Sequence, residues 1–167
     1  CSSDLAYGEA KRWSAKKFGK VAAVLSKEYD ITIVGAPNEA EIGKEVEREL
    51  LEAKISNYQN LVGKTTMSEL IDIIGSAKLF ITNDSGPMHI AAAFKIPTVA
   101  VFGSTDEHET SAWGNPNYIV VKKDMDCRPC KKRICPLKHH DCMELITVDE
   151  VVKAAQKLSP TNSKLQL

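Results

Sequence analysis

Leu79-Phe80-Ile81-Thr82-Asn83-Asp84-Ser85-Gly86-Pro87-Met88-His89 changes character midway. Leu79 to Thr82 is a short apolar, partly β-branched run of the kind that forms a buried strand. Asn83-Asp84-Ser85-Gly86 then turns the chain, and Pro87 falls in the first turn of a helix, where a missing N–H costs least. Ala91, Ala92 and Ala93 allow that helix to pack closely. A strand passing through small polar residues directly into a helix is the repeating unit of a parallel sheet. The first N–H groups of such a helix point into the crevice beyond the strand.

The same alternation extends in both directions. Upstream, Phe18, Val21, Ala22 and Leu25 form one helical stripe running from Ser14 to about Lys27. Ile31 to Val34 reads as a strand closed by Gly35-Ala36-Pro37, and Asn38 is expected to cap a helix with Glu39 and Glu41 in its first turn. Leu61-Val62 is a weak strand, followed by the capping box Thr66-Met67-Ser68-Glu69. Downstream, Thr98 to Phe102 and Tyr118 to Val121 are strands, and Thr147-Val148-Asp149-Glu150 opens a last helix running through Leu158. Apolar strands interleaved with helices define an α/β fold, a Rossmann-like parallel sheet with helices on both faces.

Composition sets the bounds. The chain has 167 residues with 43% hydrophobic and 26% charged, enough for one domain with a real core. Lys plus Arg and Asp plus Glu are 22 each, so no global field draws the chain onto a polyanion, and nucleic acid is not an expected partner. No stretch approaches the length of a membrane span and the N-terminus carries no signal pattern, so a cytoplasmic location is expected.

In a sheet of this kind the informative residues follow the strands. Asp84, Ser85 and Gly86 precede a helix N-terminus, a ready anion site, although a carboxylate beside a phosphate is unfavourable unless it faces sugar hydroxyls. Simple helix capping by Asp84 or Ser85 is the alternative. Tyr7-Gly8-Glu9-Ala10-Lys11-Arg12-Trp13 offers a basic pair ahead of the first helix, in which Lys11 acts as a point charge toward phosphate. Gly35-Ala36-Pro37-Asn38-Glu39 offers an acid suited to ribose hydroxyls or to the helix dipole. Gly63-Lys64-Thr65 imitates the end of a phosphate loop but has Tyr58 where that loop needs its first glycine, and no Gly-x-Gly-x-x-Gly occurs. The histidines show no nucleophile–base spacing.

Taken together, Lys11-Arg12-Trp13, Gly35-Ala36-Pro37-Asn38-Glu39 and Asn83-Asp84-Ser85-Gly86-Pro87-Met88-His89-Ile90-Ala91-Ala92-Ala93 resemble the ADP-heptose:lipopolysaccharide heptosyltransferase family, in its heptosyltransferase II-like branch. The resemblance covers nearly the whole chain. It implies the GT-B architecture of two Rossmann-like domains facing a cleft, with residues 1–167 as the C-terminal, nucleotide-sugar-binding domain and the N-terminal acceptor domain outside this sequence. It implies an inverting transfer of heptose from ADP-heptose to the lipopolysaccharide inner core, with no required cofactor. Lys11 and the backbone N–H groups of Ser85 and Gly86 would meet the diphosphate and Asp84 the heptose hydroxyls, Lys11 and Asp84 being the catalytic pair. Glu39 would hold the ribose, and the loop from Thr65 to Met67 would border the adenine. The general base would come from the other domain, so this chain alone is expected to be inactive. The family also has a strand and Pro-Gly-Ala ahead of Tyr-Gly, where this chain has Cys1 to Ala6. Loss of that strand would expose a position in the sheet.

Cys127-x2-Cys130-x4-Cys135-x6-Cys142, with His139 and His140 inside it, lies in an excursion over about 124–143. One Cys-x-x-Cys half and one loose half fit a structural zinc or iron–sulfur cluster, reduced thiols, or a disulfide. Seven Lys or Arg against three Asp between Lys122 and Asp141 make a basic patch suited to a phosphorylated acceptor, to peripheral contact with the inner membrane, or simply to solvent. Two other functions remain open: a non-catalytic nucleotide- or metal-binding module contacting nucleic acid, and a GT-B enzyme using a UDP-sugar. Nucleic-acid binding would depend steeply on salt and on the metal, whereas a donor site would select ADP and survive chelation.

Overall fold

The computed structural model describes residues 9–159; Cys1, the Tyr7-Gly8 approach and the segment in which a first strand was sought lie outside the described residues. Five strands alternate with helices: β1 (Ile31–Ile33), β2 (Tyr58–Asn60), β3 (Phe80–Asn83), β4 (Thr98–Val101) and β5 (Tyr118–Val121). The helices are α1 (Ala15–Leu25), α2 (Ala40–Glu52), α3 (Met67–Ser76), α4 (Gly86–Ala93), α5 (Glu107–Thr110), α6 (Asp141–Glu144) and α7 (Val148–Leu158). All strand pairs are parallel, in the orders β1-β2 and β3-β4-β5.

Strand β4 shows why the strands are apolar throughout. Val99 and Val101 join the core beneath α1, α2 and α7, whereas Ala100 points into the opposite core with Met88 and Ala92 of α4. Both faces of the sheet are therefore dry, as a parallel sheet between helical layers requires. Helix α1 lies against α2 and α7 on one side, and α3 lies against α4 on the other. At Gly19 a Cβ would come within 2.6 Å of Glu49 Cβ and 2.8 Å of the Val46 carbonyl oxygen, so only glycine allows α1 and α2 this approach.

Both capping boxes form. Thr66 accepts from the Glu69 N–H while Glu69 accepts from the Thr66 N–H, and Thr147 and Glu150 repeat the exchange. Two expectations are corrected. The strand expected at Leu61-Val62 runs instead over Tyr58–Asn60, in register with Ile31, Thr32 and Ile33. Asn38 does not cap α2: Pro37–Glu39 forms a 3-10 turn, Glu39 takes the N-cap position, and its carboxylate reaches back to the Ala36 N–H at 2.7 Å.

The two sheet segments are not hydrogen-bonded to each other among the described residues. Between them lies a cavity of about 560 Å³, flanked by Ile31 and Thr32 of β1 and by Phe80 and Ile81 of β3. Phe18 and Val21 of α1 and Ile73 and Ile74 of α3 also line it. Among the described residues the edges of β1 and β3 thus face each other across it.

Candidate functional site

The residues that follow the strands gather at one end of the sheet. Asp84 lies immediately after β3 and is 2% exposed. Its Oδ2 receives three groups: the Lys11 ammonium at 2.8 Å, the Thr105 hydroxyl at 2.6 Å and the Thr110 hydroxyl at 3.2 Å. Lys11 is itself only 6% exposed, so this is a buried ion pair stabilised by hydroxyl donors. The lysine cancels the charge that made Asp84 an awkward neighbour for a phosphate.

Trp13 holds the Lys11 segment in place. It is 1% exposed, its backbone N–H donates to Asn83 Oδ1 at 3.1 Å, and its indole N–H donates to the Ile146 carbonyl at 3.2 Å. Its ring meets Phe18 edge-on at 4.9 Å. The start of α1 is thereby fastened to the residue before Asp84, with an aromatic anchor large enough to resist displacement.

Ser85 takes the N-cap position of α4 in extended conformation without a side-chain cap hydrogen bond; its hydroxyl lies 3.1 Å from Thr82 Oγ1 instead. Neither Asp84 nor Ser85 is thus an ordinary side-chain cap. A Cβ added at Gly86 would meet nothing within 4 Å among the described residues, so none of them demands a glycine here. Glu39 is 4% exposed and lines a small crevice with Arg12, Trp13, Gly35 and Asn83. The three post-strand motifs therefore do meet. Thr65 and Met67 lie one strand further out, where Gly63 packs on Pro37 and donates to the Gly35 carbonyl. Thr65 is half-buried and Met67 exposed, on the turn into α3.

Sequence reasoning missed Thr105, Thr110 and Arg128. Gly103-Ser104-Thr105 lies just beyond the end of β4 at Val101, separated from it by Phe102, so the post-strand rule applied to β4 would have found it. Arg128 carried no local signal. Its guanidinium donates to the Gly103 and Thr105 carbonyls and pairs with Glu107 at 3.0 Å. Burial raises the Glu107 carboxyl pKa, but hydrogen bonds from Lys122, its own backbone and Arg128 outweigh that and hold it at about 2.

The cysteine excursion abuts this wall. The Lys131 N–H donates to the Ser104 carbonyl at 2.8 Å, and the Arg133 carbonyl accepts from the Ala10 N–H at 3.1 Å. Cys127, Cys130, Cys135 and Cys142 are free thiols lining one cavity with His139 and His140. Among the described residues no three His, Cys, Asp or Glu side chains stand as a ready metal-holding group. The basic patch is largely ion-paired, with Lys122 on Glu107 and Asp124, Lys123 on Glu150 and Lys131 on Glu109.

A parallel sheet with a buried cation, an acid and a helix N-terminus beyond its strand ends is one Rossmann-like half of a GT-B glycosyltransferase fold, and the known proteins it resembles are of that kind. The chain belongs to glycosyltransferase family 9 (heptosyltransferase), whose family model matches residues 3–140. It is 45% identical over 153 residues to lipooligosaccharide heptosyltransferase 2 of Campylobacter jejuni serotype O:2, covering 91% of this chain and 48% of that protein. The structure of E. coli ADP-heptose lps heptosyltransferase II superposes with a TM-score of 0.81 at 24% identity, covering 97% of this chain and 46% of the other. The family 9 glycosyl transferase of Veillonella parvula superposes at 0.73 with 26% identity, covering 94% and 44%. The chain thus spans about half the length of the relatives it matches. Among the described residues no helix is long and apolar enough to cross a membrane.

Proposed function

We propose that this chain is the donor-binding half of an inverting heptosyltransferase that uses ADP-heptose and glycosylates the lipopolysaccharide inner core at the cytoplasmic face of the inner membrane. The observation that carries this reading is the buried Lys11–Asp84 pair beside the N-terminus of α4. An ammonium has more than one donor, so Lys11 can hold Asp84 and still reach a diphosphate oxygen. The Ser85 and Gly86 N–H groups supply further donors, and the open space over Gly86 admits the phosphate closely. Asp84 accepts from heptose hydroxyls, Glu39 from the ribose, and the turn from Thr65 to Met67 borders the adenine.

In the transfer, an acceptor hydroxyl oxygen bonds to the anomeric carbon from the face opposite the donor phosphate. The bond from that carbon to the phosphate oxygen breaks, and ADP departs with the electron pair. The hydroxyl proton passes to a base supplied by the other half of the enzyme. Lys11 and the helix N–H groups act where charge develops, on the departing diphosphate.

The test is calorimetric titration of the complete protein with ADP, using UDP as control, together with heptose transfer from ADP-heptose. Preferential ADP binding that weakens in Lys11→Gln, with the variant still folded, supports the reading. Equal affinity for both nucleotides refutes the assigned donor.

A further inference from the structure

We propose that Cys127, Cys130, Cys135 and Cys142 are the ligands of a structural divalent metal ion of the zinc class, which fixes the 124–143 excursion against the rim of the site. The thiol spacing supplies soft ligands in number for a closed tetrahedral site. The fold then brings all four side chains to one small cavity, although they are spread over 16 positions of sequence.

Further observations point to a ligand in that cavity. His140 lines it, and its buried Nε2 has no hydrogen-bond partner among the described residues, an orphaned polar atom of a kind native proteins seldom leave. As an N–H it is the donor a bound thiolate would accept. The turn after Cys135 is closed by the Lys138 N–H, which donates to the Cys135 carbonyl at 3.2 Å. The chain bends tightly to make this arrangement, with Lys131, Lys138 and His140 in left-handed conformation at φ of 54°, 61° and 57°. Metal entry requires the sulfurs to swing inward, and each ligating thiol releases its proton to water.

The ion would act at a distance from the chemistry. Arg128, between Cys127 and Cys130, holds the Gly103 and Thr105 carbonyls. Lys131 holds Ser104, and Arg133 holds Ala10, next to Lys11. A clamped excursion therefore adds to the Trp13 anchor in keeping Lys11 and Thr105 facing Asp84.

The experiment measures metal content by mass spectrometry on the complete protein purified without chelator. About one zinc per chain is expected, retained in Cys1→Ser and lost in the double variant Cys127→Ser/Cys135→Ser. To separate ligation from folding, the wild-type protein is also stripped under reducing conditions and titrated with Co2+. Saturation at about one equivalent, with thiolate-to-cobalt charge-transfer and tetrahedral bands, supports the site. Metal-free protein whose thiols give no such bands with Co2+ overturns the proposal, as does zinc that persists in the double variant. A site that holds iron and loses it in the double variant supports the four ligands and corrects the metal.

Discussion

Thr105 donates its hydroxyl to Asp84 Oδ2 at 2.6 Å, the same oxygen that receives Lys11. The loop after β4 therefore helps to set the position of the acid after β3. Removing that hydroxyl in Thr105→Val leaves a buried carboxylate short of a donor, at an expected cost of about 1.5–3 kcal/mol. Urea unfolding measures it, and a variant as stable as the parent would show that the hydroxyl contributes nothing.

Lys11 and Asp84 should behave as one unit. Lys11→Met takes the ammonium from a buried carboxylate and Asp84→Asn removes the carboxylate charge that faces Lys11, so each should cost about 3–5 kcal/mol, whereas the double variant should cost clearly less than their sum. A double-mutant cycle by denaturant unfolding provides the check; strict additivity would mean the two side chains are not coupled.

Two glycines separate folding from binding. Gly103→Ala drives a methyl to 2.8 Å from Met143 Cε and 2.9 Å from the Ala10 carbonyl oxygen, so stability should fall by about 1–3 kcal/mol. Gly86→Ala meets nothing within 4 Å among the described residues, and its stability should remain within about 0.5 kcal/mol of the parent. In Gly86→Ala it is ADP affinity that should fall, by about tenfold or more (about 1.4 kcal/mol). Thermal unfolding and nucleotide titration on the same samples distinguish the two effects.

Acid should loosen the protein in a defined window. Glu107 and Glu150 have pKa values lowered from 4.5 to about 2, the latter chiefly by its hydrogen bond from Lys123 and by the Thr147 backbone. The native state therefore binds fewer protons than the unfolded chain below neutrality. Their stabilisation is complete above about pH 4.5 and disappears as pH falls through about 2. Melting temperature should decline across that interval, and Glu107→Gln should flatten the decline; an unchanged slope would remove Glu107 from the account.

Much of this architecture was legible because local signals agreed with the global fold. Tyr118 to Val121 reads as a strand and is one, and both capping boxes open helices where expected. Tyr58–Asn60 escaped notice because an edge strand with only partly buried residues has little apolar signature, and its pairing with β1 is decided in three dimensions. Asn38 lost its expected role because Glu39 closes the preceding turn with its own carboxylate. Glu39 and Asp84 stand out as acids just past strands and Lys11 as a base in the loop ahead of the first helix, and the fold buries all three. Thr105 was passed over in a loop of the same kind, and Arg128 acts through long-range contacts that no spacing rule encodes.

The cavity between β1 and β3 bears on how the chain behaves in the test tube. Among the described residues two strand edges face each other with no ladder between them, a geometry that an extended peptide of suitable length, including one from a neighbouring molecule, can enter. Self-association of these 167 residues should therefore rise with concentration and be suppressed by a short strand-forming peptide added in trans. Pairing across that edge, rather than attraction between charges that sum to zero over the sequence, is what such a concentration series would detect.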